Sequence, residues 1–265
     1  MKSIKILNII GSGRKKGHTA KICSLINQNL REMAKLENKS IEIEDLFLSD
    51  YTLKPCIGCR ICMDRDENKC PLNDDLPQIK EKMHGVDGII FASPVYVGDV
   101  SSLMKILIDR MAYMCHRQEF YKKCGFIIAT TNATSLKRTI HTMGAALYSW
   151  GFKTIGTQGF KTETSNDPIE ELETRYRKKL HKLSKKFYKG VKEKAYLKPS
   201  ALSIATFKLQ QKYRADPEYA SSVDYNYWKE QGWTDSKQSY YIEHNSGPLR
   251  VFLSKLLYGI FQLIF

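Results

Sequence analysis

The run Ile4-Lys5-Ile6-Leu7-Asn8-Ile9-Ile10 constrains this chain more than any other stretch, because glycines and then a helical stripe follow it at once. Its apolar residues scarcely alternate, the pattern of a strand covered on both faces in a parallel sheet. Parallel neighbours cannot be joined by a tight turn, so each strand needs a long crossover, usually a helix. One is at hand: beyond Gly11-Ser12-Gly13, the residues Ile22, Ile26, Leu30 and Met33 recur at steps of four, four and three. The alternation then continues. The pattern predicts strands over 41–47, 86–92, 124–129 and 152–157, and helices over 76–83, 103–114 and 136–150, with 93–98 a loop at the third strand's carboxyl end. A long amphipathic helix over 168–194 follows.

Five strands alternating with helices predict an α/β three-layer sandwich around a five-stranded parallel sheet, with ligands at the carboxyl ends of the strands. A chain of 265 residues holds one ordinary domain of this kind and an extension. We place the domain at 1–194 and a helical, aromatic-rich C-terminal extension at 195–265, where Tyr213, Tyr219, Tyr225, Tyr227, Trp228, Trp233, Tyr240 and Tyr241 crowd a turn-rich stretch. Those rings read as core, as a cap over a bound ring, or as an oligomer interface. Met1 to Arg14 carries neither a signal-peptide nor a spanning pattern, so the expected compartment is cytoplasmic.

The net charge of +14 suggests nucleic acid until it is located. Eleven Lys or Arg and a single acid, Glu193, lie between Arg175 and Lys198, which places 11 − 1 = +10 on one segment. Tyr176, Leu180, Leu183, Phe187 and Val191 form an apolar stripe through it, so the charge reads as the solvated face of one helix or a docking face for an acidic redox protein or anionic lipid. No nucleic-acid function is expected.

Two loops and one cysteine cluster carry the chemistry. Gly11 to Thr19 joins the first strand to the first helix, where free N–H groups and the helix dipole favour a phosphate. It lacks the Gly-Lys-Ser/Thr of a Walker loop and the third glycine of the dinucleotide fingerprint, which leaves a terminal monophosphate as the better fit. Four of the seven cysteines, Cys56, Cys59, Cys62 and Cys70, fall within fifteen residues. In a reducing compartment such clustering reads as metal ligation or redox chemistry, with an iron-sulfur cluster, a structural zinc and free thiols all open. Cys23, Cys115 and Cys124 are isolated and read as packing residues.

Ser93-Pro94-Val95-Tyr96-Val97-Gly98, with the phosphate loop before it and the Cys-x2-Cys-x2-Cys run between them, resembles the NADPH-dependent FMN reductases and iron-sulfur flavoproteins of the flavodoxin-like superfamily over about residues 1 to 190. The resemblance implies a flavodoxin-like fold and FMN. It assigns Ser12, Arg14, His18, Thr19 and Ala20 to the FMN phosphate, and Pro94, Val95, Tyr96, Val97 and Gly98 to the isoalloxazine. Thr131 and Asn132 are candidates after the fourth strand. It further implies a [4Fe-4S] cluster on Cys56, Cys59, Cys62 and Cys70.

The expected function is an FMN-dependent oxidoreductase that takes electrons from NADH or NADPH and delivers them through FMN and the cluster to a small acceptor. A non-enzymatic electron carrier served by ferredoxin-like partners is the alternative. No residue reads as an acid-base catalyst, and a homo-oligomer is expected. The segment 248–265 carries only Arg250 and Lys255 as charges, which suits packing on the protein or contact with a membrane surface.

Overall fold

The computed structural model describes residues 3–164 and 166–264; Met1 and Lys2 at the start of the predicted domain, Ser165, and Phe265 at the end of the 248–265 segment lie outside the described residues. Strands β1 (Ile4–Ile10), β2 (Ile41–Phe47), β3 (Gly88–Tyr96), β5 (Cys124–Thr131) and β6 (Lys153–Lys161) form a parallel sheet in the order β2-β1-β3-β5-β6, with the two-residue β4 (Asp99–Val100) antiparallel to β3. From β1 the chain goes outward to β2 and then returns past β1 to β3. The strand order therefore reverses between β1 and β3, and their carboxyl ends flank the resulting crevice.

Helices cover both faces. On one, α1 (His18–Leu36) and α6 (Ile169–Lys192) bury Ile22, Ile26 and Leu30 with Leu180, Phe187 and Val191 against Ile6, Ile90 and Ile128. On the other, α3 (Leu76–His84), α4 (Ser102–Arg110) and α5 (Leu136–Ser149) bring Met83, Leu107, Met143 and Leu147 to Leu7, Phe91 and Ile127. A short turn of helix, α2 (Ile61–Asp64), lies in the cysteine segment. The lysines of α6 lie mostly on its outer face.

Several predicted elements differ. The 93–98 stretch is only partly a loop: β3 runs on to Tyr96 and folds back, pairing Val95 with Val100 and Tyr96 with Asp99. Pro94 is tolerated because β1 ends at Ile10, opposite Ala92, so beyond that point β3 has a free edge on that side. The helix predicted to 114 stops at Arg110 and continues as a tighter turn over Ala112–Cys115.

The C-terminal extension is helical, as expected, with turns between its helices. It holds α7 (Ala201–Arg214) and α8 (Ser222–Glu230), each begun by a serine cap: Ser200 Oγ accepts from the Ser203 N–H at 3.1 Å and Ser221 Oγ from the Asp224 N–H at 3.3 Å. Its rings build a second core of Phe207, Trp228, Trp233, Tyr240 and Tyr241, onto which Tyr121 packs. The last helix, α9 (Pro248–Ile264), lies along α7. Among the described residues no helix is long and apolar enough to cross a membrane.

Candidate functional site

A cavity of about 260 Å³ opens at the carboxyl ends of β1, β3, β5 and β6. The first loop contributes Ser12, Arg14, Gly17, His18 and Thr19, the end of β3 contributes Pro94, Val95 and Tyr96, and Thr130, Thr131, Asn132, Thr162 and Thr164 complete it. Gly17 is the N-cap of α1, so no side chain caps the helix, and its first turn holds no acid. The orphan N–H groups and the positive end of the dipole therefore stay available to an anion.

The loop is fixed from several sides. Ser12 is buried and its Oγ accepts the Arg14 N–H at 3.1 Å. Thr19 Oγ1 lies 2.7 Å from Thr130 Oγ1, which joins α1 to β5. Ser101, the cap of α4, donates to the Gly11 carbonyl at 2.5 Å. A Cβ on Gly11 would stand 2.9 Å from both Met104 Cβ and Ser101 Oγ, so only glycine allows this approach.

His18 Nε2 accepts the Asp167 N–H at 2.8 Å. Burial lowers the His18 pKa; Asp167 opposes the shift, and Lys21 and Arg14 reinforce it. Through its contact with the Asp167 N–H the ring ties the start of α1 to the β6–α6 connection.

Of the predicted cofactor residues, Ser12, Arg14, His18, Thr19, Pro94, Val95, Tyr96, Thr131 and Asn132 line this cavity. Ala20 does not; its side chain is buried, and as the third residue of α1 it offers its N–H. Val97 and Gly98 also fall outside the lining and form the β3–β4 turn, at φ 47° and 85°. That conformation strains a β-branched side chain, and Val97 is fully exposed. Sequence reasoning missed Thr162 and Thr164. They follow β6 directly, so the rule that found the other loops would have found them had the strand been read to Lys161.

The second cavity, about 270 Å³, is lined by Cys56, Cys59, Cys62 and Cys70, with Arg110 and Tyr113. The chain bends around it through Gly58 and Arg60, both at positive φ. Burial raises the Cys62 pKa first, and the neighbouring Cys56 and Cys70 add to the shift. Among the described residues no three His, Cys, Asp or Glu are grouped to hold a metal ion; the four thiols border one space.

Arginines from elsewhere brace this segment. Arg110 donates through Nη2 to Cys70 Sγ at 3.7 Å, through Nη1 to the Lys54 carbonyl at 2.9 Å, and pairs with Asp74. Burial alone would raise the Asp74 carboxyl, but Arg110 and the N–H groups of Lys54 and Leu76 outweigh it and hold the carboxyl below its ordinary value. Arg117, itself buried, donates to the Cys62 carbonyl and pairs with Glu67 at 3.3 Å and with Asp224 of α8. Ser221 Oγ donates to the Met63 carbonyl at 3.2 Å. The C-terminal extension thus holds the cysteine segment in place.

Cys23, Cys124, His84 and His116 are held within the structure. Cys23 and Cys124 are buried, and burial pushes the Cys124 thiol up to about 12. His84 meets Glu119 at 2.7 Å, and His116 meets Asp224 at 2.8 Å.

The family model described as NADPH-dependent FMN reductase matches residues 4–167. An iron-sulfur flavoprotein of Archaeoglobus fulgidus is 29% identical over 232 residues, covering 87% of this chain and 100% of that protein. One from Clostridioides difficile is 30% identical over 192 residues, 72% of this chain and 80% of that protein. Among solved structures, RosB with a bound formylriboflavin phosphate intermediate superimposes with a TM-score of 0.53 at 15% identity, covering 91% of this chain and 83% of that one. At that identity the likeness concerns the fold, which is flavodoxin-like.

Proposed function

Since the chain belongs to the NADPH-dependent FMN reductase family, we propose that it moves electrons from a reduced nicotinamide, through FMN in the first cavity and a [4Fe-4S] cluster in the second, to a small acceptor. It is a flavin-dependent oxidoreductase; the donor, the cluster and the acceptor are the proposed parts. Bound FMN supplies chemistry in steps of one or two electrons, and a thiolate-held cluster supplies steps of one.

The chain's own residues divide the work. The first-turn N–H groups of α1, with Ser12, Arg14 and Thr19, would hold the terminal phosphate. Pro94, Val95 and Tyr96 would border the flat ring, where Tyr96 is half exposed and offers aromatic surface. Thr131, Asn132, Thr162 and Thr164 supply hydroxyl and amide partners on the opposite wall. In the second cavity Cys56, Cys59, Cys62 and Cys70 would be the ligands, and Arg110 would offset their negative charge beside Cys70.

The donor set suits soft metals, so zinc and iron-sulfur both answer to it. A tetrahedral zinc draws four sulfurs to about 2.3 Å around one point. The relatives named iron-sulfur flavoproteins favour the cluster for these four thiols. The observation that carries the reading is this pairing of a phosphate cradle with a four-thiol cavity on one chain.

Steady-state oxidation of NADH and NADPH by pure, FMN-loaded protein tests it. FMN-dependent turnover with either donor is expected. No turnover with both would overturn the reductase reading and favour a carrier that exchanges electrons with protein partners.

A further inference from the structure

Helix α9 presents a bare apolar face. Leu249, Phe252, Leu253, Leu256, Ile260 and Leu263 are each between 44% and 89% exposed. At 3.6 residues per turn they fall within about 100° of arc, so they form one continuous stripe and not a scatter of single residues. The opposite side of the helix, with Val251, buried Ser254 and Tyr258, faces α7. The inner side is therefore already used for packing, and the stripe faces outward.

What surrounds the stripe distinguishes between possible occupants. One groove against α9 is lined by Lys208, Lys212 and Lys255, and the other by Lys153, Lys198 and Arg250; neither has an acidic side chain among its lining residues. Asp235 offsets part of the Lys208 charge. Lys153 has its pKa lowered, by burial first and then by the neighbouring Arg250, so two cations are held close together. On the helix itself Arg250 and Lys255 lie on either flank of the apolar arc, and no acid occurs along its length.

A second copy of the chain is a poor match for such a face. A two-fold contact sets a patch against itself, so the cationic rims of both copies would meet. An anionic lipid surface complements both features: it takes the apolar stripe among its acyl chains and the flanking Arg250 and Lys255 among its headgroups. Among the described residues no helix is long and apolar enough to cross a membrane, and with one side packed toward α7, α9 would lie along a bilayer surface.

We propose that α9 is an interfacial anchor that seats the protein on an anionic membrane surface through the Leu249–Leu263 stripe and its rim of Arg250 and Lys255. The stripe supplies buried apolar area, and the rim supplies salt-sensitive attraction.

Co-sedimentation of the full chain with extruded vesicles tests this directly. Vesicles of mixed phosphatidylglycerol and phosphatidylcholine should bind at least about tenfold more tightly than phosphatidylcholine alone, and the difference should shrink as salt rises. A Phe252→Glu/Leu256→Glu variant should lose binding. An Arg250→Gln/Lys255→Gln variant should weaken it about tenfold. Both should keep the parent's flavin content and unfolding midpoint; if the first does not, the second decides. Absent binding, equal binding to neutral vesicles, or variants that bind like the parent would each overturn the proposal. A dimer in sedimentation velocity that Phe252→Glu dissociates, with no vesicle binding, would assign the face to a second copy instead.

Discussion

The two cavities are built on opposite principles. The first cavity sits at strand ends and a helix N-terminus, so the sheet itself places Ser12, Thr19, Thr130 and Pro94. The cysteine cavity lies in the irregular connection between β2 and α3 and depends on ionic struts from afar: Arg110 from α4, and Arg117 with Asp224 from α8. One centre is held by the fold and the other by cross-bracing, so they should respond differently to the same kind of damage.

The largest separation is expected from the ligands. Cys62→Ala should abolish iron incorporation while leaving the FMN content of the purified protein unchanged, read by metal analysis and flavin absorbance. Parallel loss of both would mean the two sites share one foundation.

Arg117→Met comes next. It leaves Asp224 buried with a broken ion pair and should cost about 3 kcal/mol in denaturant unfolding. It should also reduce iron retention without moving the FMN dissociation constant, because the Arg117 contacts reach Cys62, Glu67 and Asp224 and none of the flavin-side residues.

The reciprocal change is Gly11→Ala. The new methyl would meet Met104 and Ser101 at 2.9 Å, an overpacking of about 2 kcal/mol that shifts the phosphate loop. FMN affinity should fall by more than tenfold with iron content intact.

The smallest effect is on pH. Asp224, and then Cys115, raise the His116 pKa from 6.5 to about 9. A group whose folded pKa is raised contributes fully below its unfolded value and loses that contribution as pH climbs through the folded one. The brace should therefore weaken between about pH 6.5 and pH 9, by about 2 kcal/mol because water reaches part of the ring. Unfolding midpoints across that window should fall in the parent protein and stay flat in His116→Gln, while FMN affinity is constant in both.

The same contrast decides what the sequence makes legible. A central strand of a parallel sheet is a continuous apolar run and the edge strand alternates, so β1, β2 and the crossovers stand out, and with them the loops at their carboxyl ends. The predicted strand 152–157 stops short of Lys161, where β6 ends, and Gly159 lies in the part left out. In the folded chain a Cβ on Gly156 would lie 2.7 Å from the Phe126 ring, so that glycine answers to packing across the sheet. The thiols were legible from spacing alone. Their braces were not: Arg117 reaches Cys62 across 55 residues, and nothing local in either segment records that contact. The helical character of the extension was legible, but the bounds of α7 and α8 were not, although Ser200 and Ser221 mark their starts.

The central claim is that one chain holds two redox centres. Anaerobic purification followed by iron, sulfide, zinc and flavin analysis tests it most directly. The account predicts about four iron and about four sulfide per chain together with one FMN. Zinc in place of iron, or iron without flavin, would contradict it.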